Sequence, residues 1–230
     1  MTEGYVSEIF ESVQGEGPFA GERQVFLRLA GCPLRCNYCD TPGSLVARGH
    51  EKVAVDDIHR RVVKVAGKRV RTVSVTGGEP LAQHRFLAVL LPRLRKSGFR
   101  IYLETAGIFP DRLAEIVDLC DVVSMDLKLP SATGKKHWAD HRKFLAVAGD
   151  KAIAKVVLEK RSTGLEISTV VNLLAERKNP PLLVIQPATP IPPRASAPSA
   201  DQVADAYARA RKKLERVLVM PQQHKIWNVP

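Results

Sequence analysis

A chain of 230 residues with 45% hydrophobic side chains is long enough to bury a large core and too apolar for a disordered protein. Its formal charge of +11 comes from 35 Lys and Arg against 24 Asp and Glu, but the basic clusters (Arg60, Arg61 and Lys64; Arg93, Arg95 and Lys96; Arg209, Arg211 and Lys212) lie on helical patterns almost free of aromatics, which argues against nucleic acid as partner. No apolar run approaches the ~18 residues of a membrane span, and Met1-Thr2-Glu3-Gly4 has neither the basic nor the apolar region of a secretory signal. The expectation is a cytoplasmic protein that binds neither membrane nor nucleic acid.

In chain order, apolar runs alternate with polar turns and amphipathic helical patterns, with no internal repeat and no long linker. The strands expected are Val25–Leu29, Thr72–Val75, Arg100–Leu103, Val122–Met125, Ala154–Leu158, Leu182–Ile185 and Val217–Val219. Such alternation predicts an α/β fold with mostly parallel strands, and residues 1–230 read as one domain. Asp56 is expected to cap a helix whose Ile58, Val62, Val65 and Ala66 share a face. Ser199 and Gln202 form a capping box for a later helix, and the proline-rich stretch 187–198 must be irregular.

Reactive residues follow the strands with regularity. Cys32 follows the first run, Gly77-Gly78-Glu79-Pro80 the second, Glu104-Thr105 the third, Asp126 and Lys128 the fourth, and Gln186 the sixth. Polar groups repeated at the C-terminal ends of parallel strands converge on one mouth, which predicts an enzyme built on a (β/α) barrel.

Three of the four cysteines, Cys32, Cys36 and Cys39, sit within eight residues on a loop containing Gly31 and Pro33. Zinc and an iron–sulfur cluster both suit clustered thiols. A closed zinc site takes four protein ligands and no fourth Cys or His lies at ligand spacing, whereas three thiolates hold a cubane cluster with one iron open. Gly77 and Gly78 let backbone approach a ligand closely, with the Glu79 carboxylate beside them to hold an ammonium group; the plain alternative is a tight strand-to-helix turn. The loop Ser12-Val13-Gln14-Gly15-Glu16-Gly17 is either a hairpin turn or a binding loop. Arg28 lies inside an apolar strand and needs a carboxylate, either Glu8 or Glu11 or an acidic substrate. Asp126 and Lys128 can be ligands or a simple ion pair. Cys120 reads as a small buried apolar residue, His59 and His84 as helix-surface groups, and His137 and His141 as a helical pair without a third ligand. Trp138 and Trp227 read as core or tail anchors, with Trp227 able to line a pocket near His224.

The cysteine spacing, with Tyr38 before the last thiol, resembles the radical S-adenosylmethionine (SAM) enzymes. Together with Gln14-Gly15-Glu16-Gly17, Arg28, Thr76-Gly77-Gly78-Glu79-Pro80, Glu104-Thr105 and a tail containing His224-Lys225, it resembles the 7-carboxy-7-deazaguanine synthase family from about residue 8 to the C-terminus. The resemblance implies a partial (β/α) barrel and conversion of 6-carboxy-5,6,7,8-tetrahydropterin to 7-carboxy-7-deazaguanine with loss of ammonia. It implies that Cys32, Cys36 and Cys39 bind a 4Fe–4S cluster and that Thr41 ligates Mg2+. SAM would be held by Gly78, Glu79, Ser124, Asp126, Lys128, Gln186, Pro187, Ala188 and Thr189. The pterin would be held by Val13, Gln14, Gly15, Glu16, Arg28, Thr76, Glu104, His224 and Pro230. No side chain is assigned a catalytic role beyond the bound cofactors. A homodimer and an acidic electron-donor protein are the expected partners.

Two positions depart from the family pattern. Many members read Glu-Thr-Asn-Gly where this chain has Ala106, and some have a short Ser-Pro-Lys turn in place of Ser124-Met125-Asp126-Leu127-Lys128. The rival readings are a radical SAM activase acting on a partner protein and a non-catalytic zinc or nucleic-acid binding protein.

Overall fold

The computed structural model describes residues 2–230. Its strands are β1 (Glu3–Val13), β2 (Arg23–Leu29), β3 (Glu51–Ala54), β4 (Thr72–Gly77), β5 (Arg100–Thr105), β6 (Val122–Asp126), β7 (Ala152–Leu158), β8 (Leu183–Pro187) and β9 (Val217–Val219). The helices are α1 (Val55–Ala66), α2 (His84–Lys96), α3 (Pro110–Ala114), α4 (Pro130–Thr133), α5 (Trp138–Ala148), α6 (Gly164–Ala175), α7 (Ala200–Arg211) and α8 (Gln223–Trp227).

All nine strands form one sheet in the order β3-β1-β2-β4-β5-β6-β7-β8-β9. From β2 to β9 every neighbouring pair is parallel, while β1 runs antiparallel to both β2 and β3. The end strands do not pair with each other, so the sheet curls into a partial barrel and stays open. Apolar residues on the strands and on one face of each crossover helix close the core. In α2, Phe86, Leu87, Leu90, Leu91 and Leu94 repeat at three- and four-residue spacing and are all fully buried. Each such side chain contributes roughly 1.5–3 kcal/mol by leaving water.

Every strand expected from the sequence is present, with small extensions such as β4 to Gly77 and β5 to Thr105. Two strands lay outside that expectation. Strand β1 mixes Glu with apolar residues because only part of it is buried, and its charges pair across to β2: Glu8 lies opposite Arg28. Strand β3 is short and half exposed. Asp56 does not cap α1, since Ala54 occupies that position; Asp56 lies in the first turn, where a carboxylate still favours the positive end of the helix dipole. The Ser199–Gln202 capping box forms as expected, and a second one, Thr163–Glu166, opens α6.

Cys120 is buried. One histidine, His84, differs from its surface reading. His84 is half-buried beside Glu115 (3.4 Å), and His141 is fully buried with Nε2 3.2 Å from the Ala106 carbonyl.

Candidate active site

The loops that leave β2, β4, β5, β6 and β8 open on the same end of the sheet, and together with the loop after β1 and the C-terminal tail they line one cavity. This is the geometric consequence of parallel strands: every C-terminal end points the same way.

The cysteine loop departs from Leu29 at the end of β2. Its backbone is pinned to the next turn by Gly31 N–H to the Ser44 carbonyl (2.7 Å) and Cys32 N–H to the Leu45 carbonyl (3.0 Å). The glycine turn after β4 lies directly against it: Gly78 N–H donates to the Leu29 carbonyl and Glu79 N–H to the Gly31 carbonyl, both at 2.9 Å. A Cβ on Gly78 would stand 2.5 Å from the Gly31 carbonyl oxygen, so this approach requires glycine. Cys32, Cys36 and Cys39 are free, partly exposed thiols facing the cavity. Burial pushes the Cys32 thiol up to about 11, the Leu34 backbone offsetting it only in part, and burial likewise raises Cys36 against the pull of the Lys128 ammonium. Metal binding would therefore release protons.

Across the cavity, the Glu104 carboxylate on β5 accepts hydrogen bonds from Gln14 Nε2 (2.9 Å), Ser74 Oγ (3.2 Å) and Thr76 Oγ1 (3.0 Å). These donors are neutral, so its charge is oriented rather than cancelled. Arg28 on β2 also faces the cavity; its Nε donates to Glu8 (2.6 Å), and neither terminal nitrogen has a hydrogen-bond partner among the described residues. The guanidinium lies 5.6 Å from the Phe10 ring centroid. One pocket thus presents a cation on β2 and an oriented anion on β5, with β4 between them.

A second charged group lies between β6, β7 and the loop after β1. Lys155 is paired with Glu16 and lies 3.5 Å from Asp126, which in turn binds Lys128 at 2.7 Å. Burial alone would raise the Glu16 carboxyl, but the Lys155 ammonium and hydrogen bonds from Lys155 and Gln222 outweigh it and hold the group at about 2. Burial works against the Lys155 charge as well, and Glu16 and Asp126 reverse it, leaving the ammonium above its ordinary range. Two buried oxygens, Asp126 Oδ1 and Gln186 Oε1, have no partner among the described residues. Both residues line the cavity.

The tail closes the arrangement. Gln223 N–H donates to the Gly15 carbonyl (2.8 Å), and the Ser12 hydroxyl to the Pro230 carbonyl (2.8 Å). His224 packs so closely on Gly15 that a Cβ there would lie 2.6 Å from the His224 backbone nitrogen.

Residues 27–172 match the Radical SAM superfamily model. A 7-carboxy-7-deazaguanine synthase from Geobacter sulfurreducens is 35% identical over 80% of this chain and 81% of its own. One from Methanopyrus kandleri is 36% identical over 96% and 92%. The chain belongs to the 7-carboxy-7-deazaguanine synthase family of radical SAM enzymes. The crystal structure of QueE from Escherichia coli shares its fold, with a TM-score of 0.64 at 22% identity over 95% of this chain and 94% of that one.

Membership in this synthase family implies a 4Fe–4S cluster and SAM, and the donor set fits a cluster better than zinc. Among the described residues no group of three or more His, Cys, Asp or Glu side chains is gathered tightly enough to hold a single metal ion. A cubane takes each thiolate at a different iron, so its cysteines stand apart around one face instead of converging on a point.

Of the residues expected at the site, Val13, Gln14, Gly15, Glu16, Arg28, Thr41, Thr76 and Gly78 line the cavity with the three cysteines. So do Glu104, Ser124, Asp126, Lys128, Gln186, Ala188, Thr189, His224 and Pro230. Glu79 and Pro187 do not. The Glu79 carboxylate is 1% exposed and turned inward, accepting from Thr105 Oγ1 (2.8 Å), Ala106 N–H (2.7 Å) and Leu81 N–H (3.0 Å). It braces the glycine turn and does not reach a ligand's ammonium. Trp227 is likewise exposed at 43% and outside the cavity wall. Asp126 and Lys128 are an ion pair and also line the cavity, so the two readings of that turn coexist.

The structure adds residues the sequence did not single out: Lys155, Asp40, Gln222 and Lys225 all line the cavity. Lys155 stands in an apolar strand exactly as Arg28 does, so the same reasoning would have found it. Gln222 carries no such signal, because a glutamine in a tail reads as solvent-exposed.

Proposed function

We propose that this chain converts 6-carboxy-5,6,7,8-tetrahydropterin to 7-carboxy-7-deazaguanine with loss of ammonia, acting as one domain over residues 1–230. The observation that carries the reading is the shared cavity: three free cluster thiols, the Gly78 turn, Arg28 and Glu104 all face one space. Cys32, Cys36 and Cys39 hold the 4Fe–4S cluster in this reading. With SAM bound, the cluster supplies the one-electron chemistry that starts the ring contraction.

The protein's part is positioning and exclusion of water. The free edge of Arg28 receives the substrate carboxylate as a charge-assisted, two-point hydrogen bond. Glu104, fixed by Gln14, Ser74 and Thr76, accepts from the amino and ring N–H groups of a pterin. Val13, Gly15, Glu16, His224 and Pro230 complete that side. Gly78, Ser124, Asp126, Lys128, Gln186, Ala188 and Thr189 hold SAM, with Asp126 Oδ1 and Gln186 Oε1 as acceptors that lack a partner among the described residues. Thr41 would supply an oxygen to Mg2+, which would lend Lewis-acid stabilisation to negative charge developing on the substrate. A homodimer in the cytoplasm, reduced by an acidic donor protein, is part of the same proposal.

A glycyl-radical activase must admit a polypeptide. The tail, lying across the mouth with His224 on Gly15, favours a small substrate instead.

Anaerobic purification tests the centre directly. The protein should be brown with iron and sulfide, and changing any one of Cys32, Cys36 and Cys39 to Ala should abolish SAM cleavage. A colourless, zinc-loaded protein, or an active single variant, would refute the cluster assignment.

A further inference from the structure

His141 does not line the cavity, yet it is fully buried near the start of α5. Placing an imidazole in an apolar interior costs free energy unless its polar atoms are bonded. One ring nitrogen is: Nε2 lies 3.2 Å from the Ala106 carbonyl, while Nδ1 has no partner among the described residues. A carbonyl only accepts, so Nε2 carries the hydrogen and Nδ1 is bare. Burial, reinforced by the neighbouring His137, lowers the group to about 4 and keeps the ring neutral at ordinary pH. The Trp138 ring, 5.9 Å away between centroids and tilted by 68°, packs against it.

The peptide that His141 holds is itself part of the cavity wall. Ala106 follows β5 and faces the cavity. Its carbonyl is held from α5 by His141, and its N–H donates to Glu79 Oε2 (2.7 Å) in the turn after β4. Glu79 also accepts from Thr105 Oγ1 and Leu81 N–H, and its own N–H donates to the Gly31 carbonyl at the start of the cysteine loop. A continuous run of hydrogen bonds therefore leads from α5 through Ala106 and Glu79 to Gly31, with Gly78 beside its last link.

We infer that His141 is a positioning residue for SAM: by fixing the Ala106 peptide from behind, it sets Glu79 and the Gly78 turn where the cofactor binds. The inference rests on the reading of the Gly78 turn as part of the SAM site. Hydrogen bonds arranged in series strengthen one another, so loss of the first link is felt at the last. Without the imidazole the Ala106 carbonyl is left unpaired in apolar surroundings. The segment 105–107 then turns to find water and draws the Glu79 carboxylate with it.

Calorimetry of SAM binding to the anaerobic, cluster-loaded and unreduced protein tests this without turnover. His141→Leu removes the donor and fills most of the space; it should bind SAM about fivefold more weakly or worse, the size expected from one buried hydrogen bond. Its iron content should be unchanged. His141→Gln should bind SAM within about twofold of the unaltered protein, because its amide N–H replaces the Nε2 donor. His59→Leu removes a histidine hydrogen bond elsewhere, to Ser97 (2.8 Å), and should bind SAM normally. Unchanged affinity in His141→Leu, no rescue by Gln, or an equal loss in His59→Leu would each overturn the inference. Should His141→Leu not fold, the unaltered protein carries the test. With isotope-labelled histidine followed by nitrogen NMR, SAM should shift the His141 ring signals, and unmoved signals would overturn the inference. Failure of the unaltered, cluster-loaded protein to bind SAM would instead remove the reading of the Gly78 turn itself.

Discussion

Gln222 and Glu16 stand 206 positions apart in sequence and meet at 3.0 Å, the Gln222 amide donating to the Glu16 carboxylate. The same side chain donates to Asp40 (3.2 Å) beside the cluster loop and accepts from Thr189 Oγ1 (2.6 Å) in the turn after β8. One amide therefore ties the tail to the loop after β1, the cysteine loop and the turn after β8.

Gln222→Ala removes all three ties. Hydrogen bonds to charged partners contribute about 1.5–3 kcal/mol each, so substrate affinity should fall roughly tenfold or more. Loosening of the tail should appear as a change in Trp227 emission and faster hydrogen exchange over residues 221–230. Unchanged exchange would mean that Gln222 does not hold the tail.

Lys155→Met leaves the buried Glu16 carboxylate without its ammonium. Breaking a buried pair by removing one partner costs about 3–5 kcal/mol. The sign with pH is fixed by the lowered Glu16 pKa: in the unaltered protein this contribution is complete above the ordinary value of 4.5 and is lost as pH falls towards about 2. In the variant burial dominates and Glu16 prefers its proton. The stability deficit, measured by chemical denaturation, should be greatest near pH 7 and shrink towards pH 4.5. An equal deficit at both would show that Glu16 is not the group responsible.

Arg28→Gln separates a substrate contact from a strut. The pair with Glu8 is half exposed on the Glu8 side and contributes at most about 1 kcal/mol, so folding and iron content should hold. Loss of the two-point carboxylate bond should weaken substrate binding by about tenfold or more. A fall in iron content with substrate affinity intact would make Arg28 structural.

The parallel strands were legible because each is a short apolar run, and the site was legible because its polar groups follow those runs in register. What escaped had physical reasons. Strand β1 is part exposed and carries three glutamates, Glu3, Glu8 and Glu11, so its periodicity is diluted. These glutamates pair with Lys52, Arg28 and Arg23 on the flanking strands. Cross-strand pairing of that kind is invisible until the neighbours are known. Glu79 was read as a ligand group because its position beside two glycines is open in sequence; only the fold shows three inward donors claiming it. His141 reads in the sequence only as half of a helical pair with His137, yet it is fully buried with its Nε2 3.2 Å from the Ala106 carbonyl.

The most direct measurement is a single anaerobic incubation of the cluster-loaded protein with SAM, a reductant and 6-carboxy-5,6,7,8-tetrahydropterin, analysed by mass spectrometry. The account predicts 7-carboxy-7-deazaguanine with release of ammonia, dependent on all three cluster cysteines. SAM cleavage that leaves the pterin unchanged would contradict it.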